Sequence, residues 1–530
     1  MPVLAEVIRD TVRVYRRRTA LVDAEDGIEL TFAELDALFD RIGAGLRAAG
    51  LAAGDHVAVF QRNSRYWAGL EGALAKAGMV TVPVNVFLAA REIAWLLDHS
   101  EAKAIAFTAE EARILEPLVG STTCGLFLCH PGGSETPAWA QRFDETVWPV
   151  EPADAHVPVA PGDTHRIMYT SATTGLPKGV LIPTENWTGC IVTALANQLN
   201  DVGPDDRALL STPLTHVAGN YFWAFFARGA ATVLLRQFRP EAFCRAVAEE
   251  RITHAFLAPT MIVMLLEHLR GAPADVERIG SSELRALWYA GSPIPEPVAA
   301  EAEALLGQIL GQHYGLTEVY AAYPTMAVTQ LDPEWHRLKP GSCGRAIVGT
   351  VIRVVDEDGH EVVPGELGEI VIRGESHNAG YWHGPAEGEG AYRDGWIHSG
   401  DIGTFDDDGF LYVKDRKHDM IISGGLNVYP AEVESVLHEH PAVAQCAVVG
   451  VSDPKWLEVP WAVVVRSAAG ATVGEDELIA FVKARIASFK TPKRIVFADS
   501  LPVTSTGKLL RRRLREALGE SALAPDETRR

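Results

Sequence analysis

Tyr169-Thr-Ser-Ala-Thr-Thr-Gly-Leu-Pro-Lys-Gly179 gathers four serine or threonine hydroxyls, two glycines and one lysine into a single segment. Arg166-Ile-Met-Tyr169 before it reads as a short apolar strand, and Val180-Leu-Ile182 after it as another. A Gly- and hydroxyl-rich turn between strands leaves backbone N–H groups free to converge on one anion, and Lys178 adds a mobile positive charge. This is a way of holding phosphate. It is not the Walker loop, because the chain has no Gly-x4-Gly-Lys-Ser/Thr spacing. Taken alone, the stretch also has a reading as a solvated Ser/Thr-rich linker.

At 530 residues the chain exceeds what one hydrophobic core organises, so two or more domains are expected. A hydrophobic content of 47% and a mean hydropathy of +0.04 describe an ordinary folded protein. The formal charge of −21 argues against nucleic acid or an anionic membrane as the main partner. An anion would therefore need a locally positive site. Six cysteines at 124, 129, 190, 244, 343 and 446 form neither a disulfide framework nor a paired metal set. With no secretory leader pattern and no apolar run of about 18 residues, a cytoplasmic protein without a membrane span is expected.

Helical periodicity over Leu35–Leu46 and Tyr66–Ala77 alternates with strand runs at His56–Phe60 and Val80–Val84. The alternation returns across 186–266, with strands at Thr232–Leu235 and His254–Leu257. Such βαβ alternation predicts an α/β fold with doubly wound, largely parallel sheets. From about residue 345 short alternating strands separated by Asp-Gly turns replace it, predicting an antiparallel β subdomain. Lys414-Asp-Arg-Lys-His-Asp419 then reads as a charged hinge. Beyond it, a helix from Pro430, strands at Cys446–Val451 and Ala462–Val465, and an amphipathic helix over Glu475–Ile486 predict a small α+β domain. The expected division is 1–415 and 416–530, with the second domain mobile.

Seven segments then carry a family resemblance, in order along the chain. Tyr169–Gly179 resembles the phosphate loop of the adenylate-forming enzymes, which include acyl-CoA synthetases, carrier-protein adenylation domains and luciferase. Pro213-Leu-Thr-His-Val-Ala-Gly219 resembles the family's His segment, Ala290-Gly-Ser-Pro293 its adenine turn, and Tyr314-Gly-Leu-Thr-Glu318 its Thr-Glu motif. Trp396–Asp401 resembles the ribose-binding Asp motif, Asp415–Gly425 the hinge with the loop behind it, and Leu501–Lys508 the C-terminal lysine motif. The likeness runs from about residue 10 to 515.

The resemblance implies ATP-dependent activation of a carboxylic acid to an acyl-adenylate, then transfer to CoA. Thr170, Ser171, Thr173, Thr174, Gly175 and Lys178 would hold the β- and γ-phosphates. Thr317 would touch the α-phosphate, and Glu318 would ligate Mg²⁺. Asp401 and Arg416 would hold the ribose, with Gly291, Ser292, Pro293, Tyr314 and Gly315 around the adenine. Lys508 would neutralise the charge shared by carboxylate and α-phosphate. Lys508, Thr317, Glu318 and His216 are thus the implied catalytic set. The acyl pocket would be lined by His216, Asn220, Tyr221, Trp288, Tyr289, His313, Tyr320 and Tyr323. So many rings suggest a compact or aromatic acid over a long alkyl chain. Ser423, Gly424 and Gly425 would line the CoA channel.

Three positions depart from the family pattern: Ala172 in the phosphate loop, His418 at the hinge, and Leu426, where glutamate is common. The last two lie on the side used for thioester formation, so a carrier-protein thiol, an amine or dioxygen stays open as the acceptor. A nucleotide- or acyl-binding protein without turnover is a further alternative, opposed by the presence of Glu318 and Lys508. The residues leave a homodimer open.

Overall fold

The computed structural model describes residues 2–130, 134–144, 156–170, 177–321, 329–374, 380–384, 391–417, 419–423, 426–453, 455–467, 470, 472–503 and 509–523. Within them the strands form four sheets. One has seven strands, ordered Gln141–Arg142, Leu126–His130, Ala104–Thr108, His56–Phe60, Val80–Pro83, Thr164–Tyr169 and Gly179–Pro183. All neighbours run parallel until the last pair, which is antiparallel. A second sheet has nine strands, its parallel centre running from Leu310–Tyr314 through Ala286–Ala290, His254–Leu257, Arg207–Leu210 and Ala231–Leu234 to Thr19–Asp23. Antiparallel strands close both of its edges.

The largest apolar cluster draws from both sheets and from the helices Phe32–Ala48, Arg65–Ala77, Thr184–Asn197 and Val217–Ala227. The helix Phe32–Ala48 buries Leu35, Leu38, Phe39, Ile42 and Leu46, a stripe at helical spacing. Thr31 caps it, accepting from Glu34 N–H at 3.2 Å while Glu34 accepts from Thr31 N–H at 2.8 Å. Separate clusters cover the far face of each sheet. This layering is the physical content of the βαβ alternation: each parallel strand needs cover on both faces.

The antiparallel subdomain is built from Val351–Val355, Gly368–Arg373, Tyr392–Arg393, Trp396–Phe405 and Leu411–Arg416. The first half of the charged hexad is regular: Lys414, Asp415 and Arg416 continue the strand Leu411–Arg416. Alternation along that strand buries Asp415 and sets Arg416 beside Asp401. The chain leaves the sheet only at Lys417.

The C-terminal sheet pairs the long hairpin Val443–Asp453 and Leu457–Arg466 with three shorter strands and packs the helices Pro430–His438 and Glu475–Lys483. Glu475–Lys483 stops three residues short of the helix expected to run to Ile486. All six cysteines are buried and none is in a disulfide. Burial pushes the thiols of Cys124 and Cys129 up to about 11, and those of Cys244 and Cys343 to about 12. Among the described residues no helix is long and apolar enough to cross a membrane.

Candidate active site

The strand Thr164–Tyr169 and its antiparallel partner Gly179–Pro183 fix both ends of the phosphate-type loop. Tyr169 pairs with Gly179, and Thr170 N–H donates to the Lys178 carbonyl at 3.0 Å. Ser171, Thr173, Thr174 and Gly175 lie outside the described residues, as does Ala172. Lys178 stands with its Nζ 5.2 Å from the centre of the Tyr381 ring. Gly380–Trp382 is held against the loop's return strand, Leu181 N–H donating to Gly380 O at 3.1 Å and Trp382 N–H to Gly179 O at 2.7 Å.

Tyr381 connects this lysine to the Thr-Glu turn. Its hydroxyl donates to Glu318 Oε1 at 3.2 Å, and Tyr392 Oη donates to the Glu318 carbonyl at 3.1 Å. Thr317–Ala321 is a short 3₁₀ turn directly after the strand Leu310–Tyr314. Tyr381 and Tyr392 were missed by the sequence reading. Tyr381 lies in Gly380-Tyr-Trp382 among glycines and charges, where no periodicity singles it out.

Asp401 is buried in the strand Trp396–Phe405 and accepts from Tyr314 Oη at 2.7 Å, while Arg416 Nε lies 3.0 Å from its other oxygen. Burial opposes the charge on Arg416, yet Asp401, Tyr314 and Glu318 together hold its pKa above the ordinary value. Burial, then Asp401, pushes the Tyr314 phenol well upward, so it stays a donor. Gly291 follows the strand Ala286–Ala290 and has φ of +98°, a conformation open to glycine and strained for other residues. Gly291 and Pro293 are exposed and Ser292 half-exposed, with Gly315 exposed beyond the neighbouring strand. Lys178, Tyr314, Glu318, Asp401 and Arg416 therefore converge near the carboxyl ends of parallel strands, where ligands bind in open α/β sheets.

The residues read as an acyl pocket divide. Tyr221 Oη and the His313 ring are within 2.7 Å, and Trp288 packs on the same imidazole at 4.6 Å between centres. Burial drives His313 down to about 3, so it is neutral. A Cβ at Gly311 would lie 2.2 Å from the Trp288 ring, so only glycine lets that indole lie flat there. Tyr289 points to the opposite face, hydrogen-bonding Gln312 at 2.8 Å and His336 at 2.9 Å within another cluster. Strand alternation separates it from Trp288. His216 precedes the helix Val217–Ala227 and contacts Thr215 Oγ1 at 2.7 Å. Burial, then the charge of Arg166, lowers its pKa to about 4. Asn220 is fully buried, and Tyr320 packs near Trp187 at 5.8 Å. Ser423 is buried at the end of Ile421–Ser423. Tyr323, His418, Gly424, Gly425 and Lys508 lie outside the described residues.

Known proteins resemble the chain over nearly its whole length. The model of the AMP-binding enzyme family matches residues 8–382, and that of the AMP-binding enzyme C-terminal domain matches 432–508. A feruloyl-CoA synthase of Amycolatopsis sp is 39% identical over 495 residues, spanning 93% of this chain and 95% of the relative. The long-chain-fatty-acid–CoA ligase FadD13 of Mycobacterium tuberculosis is 34% identical, spanning 96% and 97%. The o-succinylbenzoate CoA synthetase of Bacillus subtilis, solved with its acyl-adenylate intermediate, superposes with a TM-score of 0.81 at 30% identity, covering 96% of this chain and 97% of that one. The chain belongs to the AMP-binding enzyme family and, within the adenylate-forming superfamily, to its AMP-forming acyl-CoA synthetases.

Proposed function

We propose that this AMP-forming acyl-CoA synthetase activates a compact or aromatic carboxylic acid, with the division of labour that follows. The acid's carboxylate oxygen attacks the α-phosphorus of ATP, the bond to the β-phosphate oxygen breaks, and pyrophosphate leaves. The CoA sulfur then attacks the acyl carbonyl, and AMP departs with the oxygen it gained. Neither step needs a covalent enzyme nucleophile, so positioning and charge stabilisation carry the rate.

Asp401, an acceptor-only side chain held by Tyr314 and Arg416, binds the ribose hydroxyls. Lys178 and the 170–175 hydroxyls hold the outer phosphates, and Thr317 the α-phosphate. Lys508 neutralises the charge shared by carboxylate and phosphate. Glu318 fits Mg²⁺: its carboxylate is engaged by Tyr381 through one oxygen and lies across that ring from the phosphate-side lysine. One carboxylate is a sufficient protein share for an ion that keeps waters and phosphate oxygens as its remaining ligands. Bound there, Mg²⁺ supplies neutralisation of phosphate charge. The carrying observation is the convergence of Asp401, Arg416, Glu318 and Lys178 at the strand ends.

The mutually packed Tyr221, Trp288 and His313 support a short acid pocket, and the likeness to a feruloyl-CoA synthase supports an aromatic occupant. Leu426, half-exposed on Leu426–Val428, favours a second reading in which another nucleophile takes the acyl group. The test is ATP–pyrophosphate exchange across aromatic, short and long-chain acids, then mass analysis with and without CoA. Exchange with an aromatic acid and a CoA-dependent thioester are expected. Exchange confined to long-chain acids would reject the pocket assignment, and acyl-AMP that never reaches CoA would reject the acceptor.

A further inference from the structure

Arg166 is completely buried on the strand Thr164–Tyr169. Its guanidinium lies 4.4 Å from the centre of the Trp187 ring, and its Nη1 is 3.3 Å from Glu71 Oε1, itself 1% exposed. His165 Nε2 approaches the same oxygen at 3.8 Å; an irregularity in strand pairing between Thr164 and Arg166 lets two consecutive residues reach it. Among the described residues none of the three guanidinium nitrogens has a hydrogen-bond partner. Neither do the two Glu71 oxygens, nor Tyr320 Oη.

The pair borders the His segment. A Cβ on Gly219 would sit 3.6 Å from Arg166 Nη1 and 2.3 Å from the Leu214 carbonyl, so glycine alone leaves the backbone this close to the charge. The ionisation of both His216 and Tyr320 registers the charge of Arg166. An arginine carries five N–H donors, and leaving such a group buried without hydrogen bonds is costly. The ion pair neutralises the charge but not the donors. A group that enters here must offer an oxygen and add no net charge, because Glu71 already balances Arg166 and a second carboxylate would be a buried, uncompensated ion. A hydroxyl can accept from the guanidinium and donate to Glu71. An ether can only accept.

We propose that the Arg166–Glu71 pair is the polar end of the acid pocket and selects a carboxylic acid bearing a hydroxyl group remote from its carboxylate. The inference rests on the adenylating reading above and adds the substrate's second functional group. Arg166 and Glu71 act here as specificity determinants.

The experiment measures pyrophosphate exchange with a ring-hydroxylated aromatic acid, its methyl ether, the unsubstituted parent and a ring-carboxylated analogue. The hydroxylated acid should exceed the parent in kcat/KM by about 10- to 100-fold, the range of a hydrogen bond to a charged group, with the ether between them. In the double variant Arg166→Met/Glu71→Leu, which leaves no unpaired buried charge, that ratio should fall to within about threefold of unity. The acid's KM should rise while the KM for ATP stays constant. A flat ranking in the unaltered enzyme, preference for the dicarboxylate, or a folded double variant that keeps the full preference would each overturn the inference. Should the double variant not fold, the ranking in the unaltered enzyme decides. Exchange with no acid at all would instead reject the adenylating reading, a distinct result.

Discussion

Glu318 is held by two groups far from it in sequence, Tyr381 through its carboxylate and Tyr392 through its carbonyl, and the Tyr381 ring also meets Lys178. Glu318→Gln keeps the size and the bond from Tyr381 but removes the charge a hard cation needs. Acyl-AMP formation should fall by about 10²- to 10³-fold, the scale of losing one preorganised electrostatic group. The Mg²⁺ concentration for half-maximal exchange should rise. Normal turnover at low Mg²⁺ would remove Glu318 from the metal site. Glu318 was legible because Tyr-Gly-x-Thr-Glu is a compact, ordered signal. Its supports were not, since Tyr381 and Tyr392 reach it from segments more than sixty residues downstream that only the folded subdomain brings near.

At the scale of elements, the register of the strands Ala286–Ala290 and Leu310–Tyr314 places Trp288, in the proposed acid pocket, opposite Gly311. Gly311→Ala would push a methyl group into that indole. Overpacking of this kind costs about 1–3 kcal/mol. The KM for the acid should rise roughly tenfold, about 1.4 kcal/mol, while the KM for ATP stays put. An unchanged acid KM would show that Trp288 does not line the pocket. Both strands are buried on both faces, so no alternation marks which side a ring takes; hence Tyr289 was grouped with Trp288 and belongs to the opposite side. The strand Leu411–Arg416 carries its own consequence. Asp415 accepts from Ala431 N–H at 3.0 Å and from Arg416 N–H at 2.7 Å, yet burial raises its pKa to about 6, against the opposing pull of Arg511. Because the folded state holds that proton more tightly than the unfolded chain, this group's contribution to stability falls as pH rises from about 4 to 6. Asp415→Asn, which is neutral throughout, should therefore match the parent near pH 4 and melt higher above about pH 6.5. The pH series of melting temperatures checks this, and a gap that is constant with pH would exclude Asp415 as its source.

Across the whole molecule, the strands His56–Phe60 and Val80–Pro83, the alternation and the change to an antiparallel subdomain were legible, because each rests on local periodicity. The continuation of Leu411–Arg416 through three charged residues was not, since the pairing of Arg416 with Asp401 outweighs the local preference for a turn. Proposing a hinge beyond that strand implies that the C-terminal unit serves the two half-reactions in different positions. Lys508→Ala should then cut acyl-AMP formation by about 10²- to 10³-fold and leave thioester formation from supplied acyl-AMP much less affected. Equal loss in both steps would mean a single working arrangement. The burial of all six cysteines has a practical reach as well. With every cysteine withdrawn from solvent and its thiol pushed up by burial, a thiol-directed dye such as a disulfide chromogen finds no rapid target on the native chain. The sulfhydryl of CoA is then the accessible thiol of the reaction, and its loss, read by adding the dye to samples withdrawn over time, records turnover with little background from the protein.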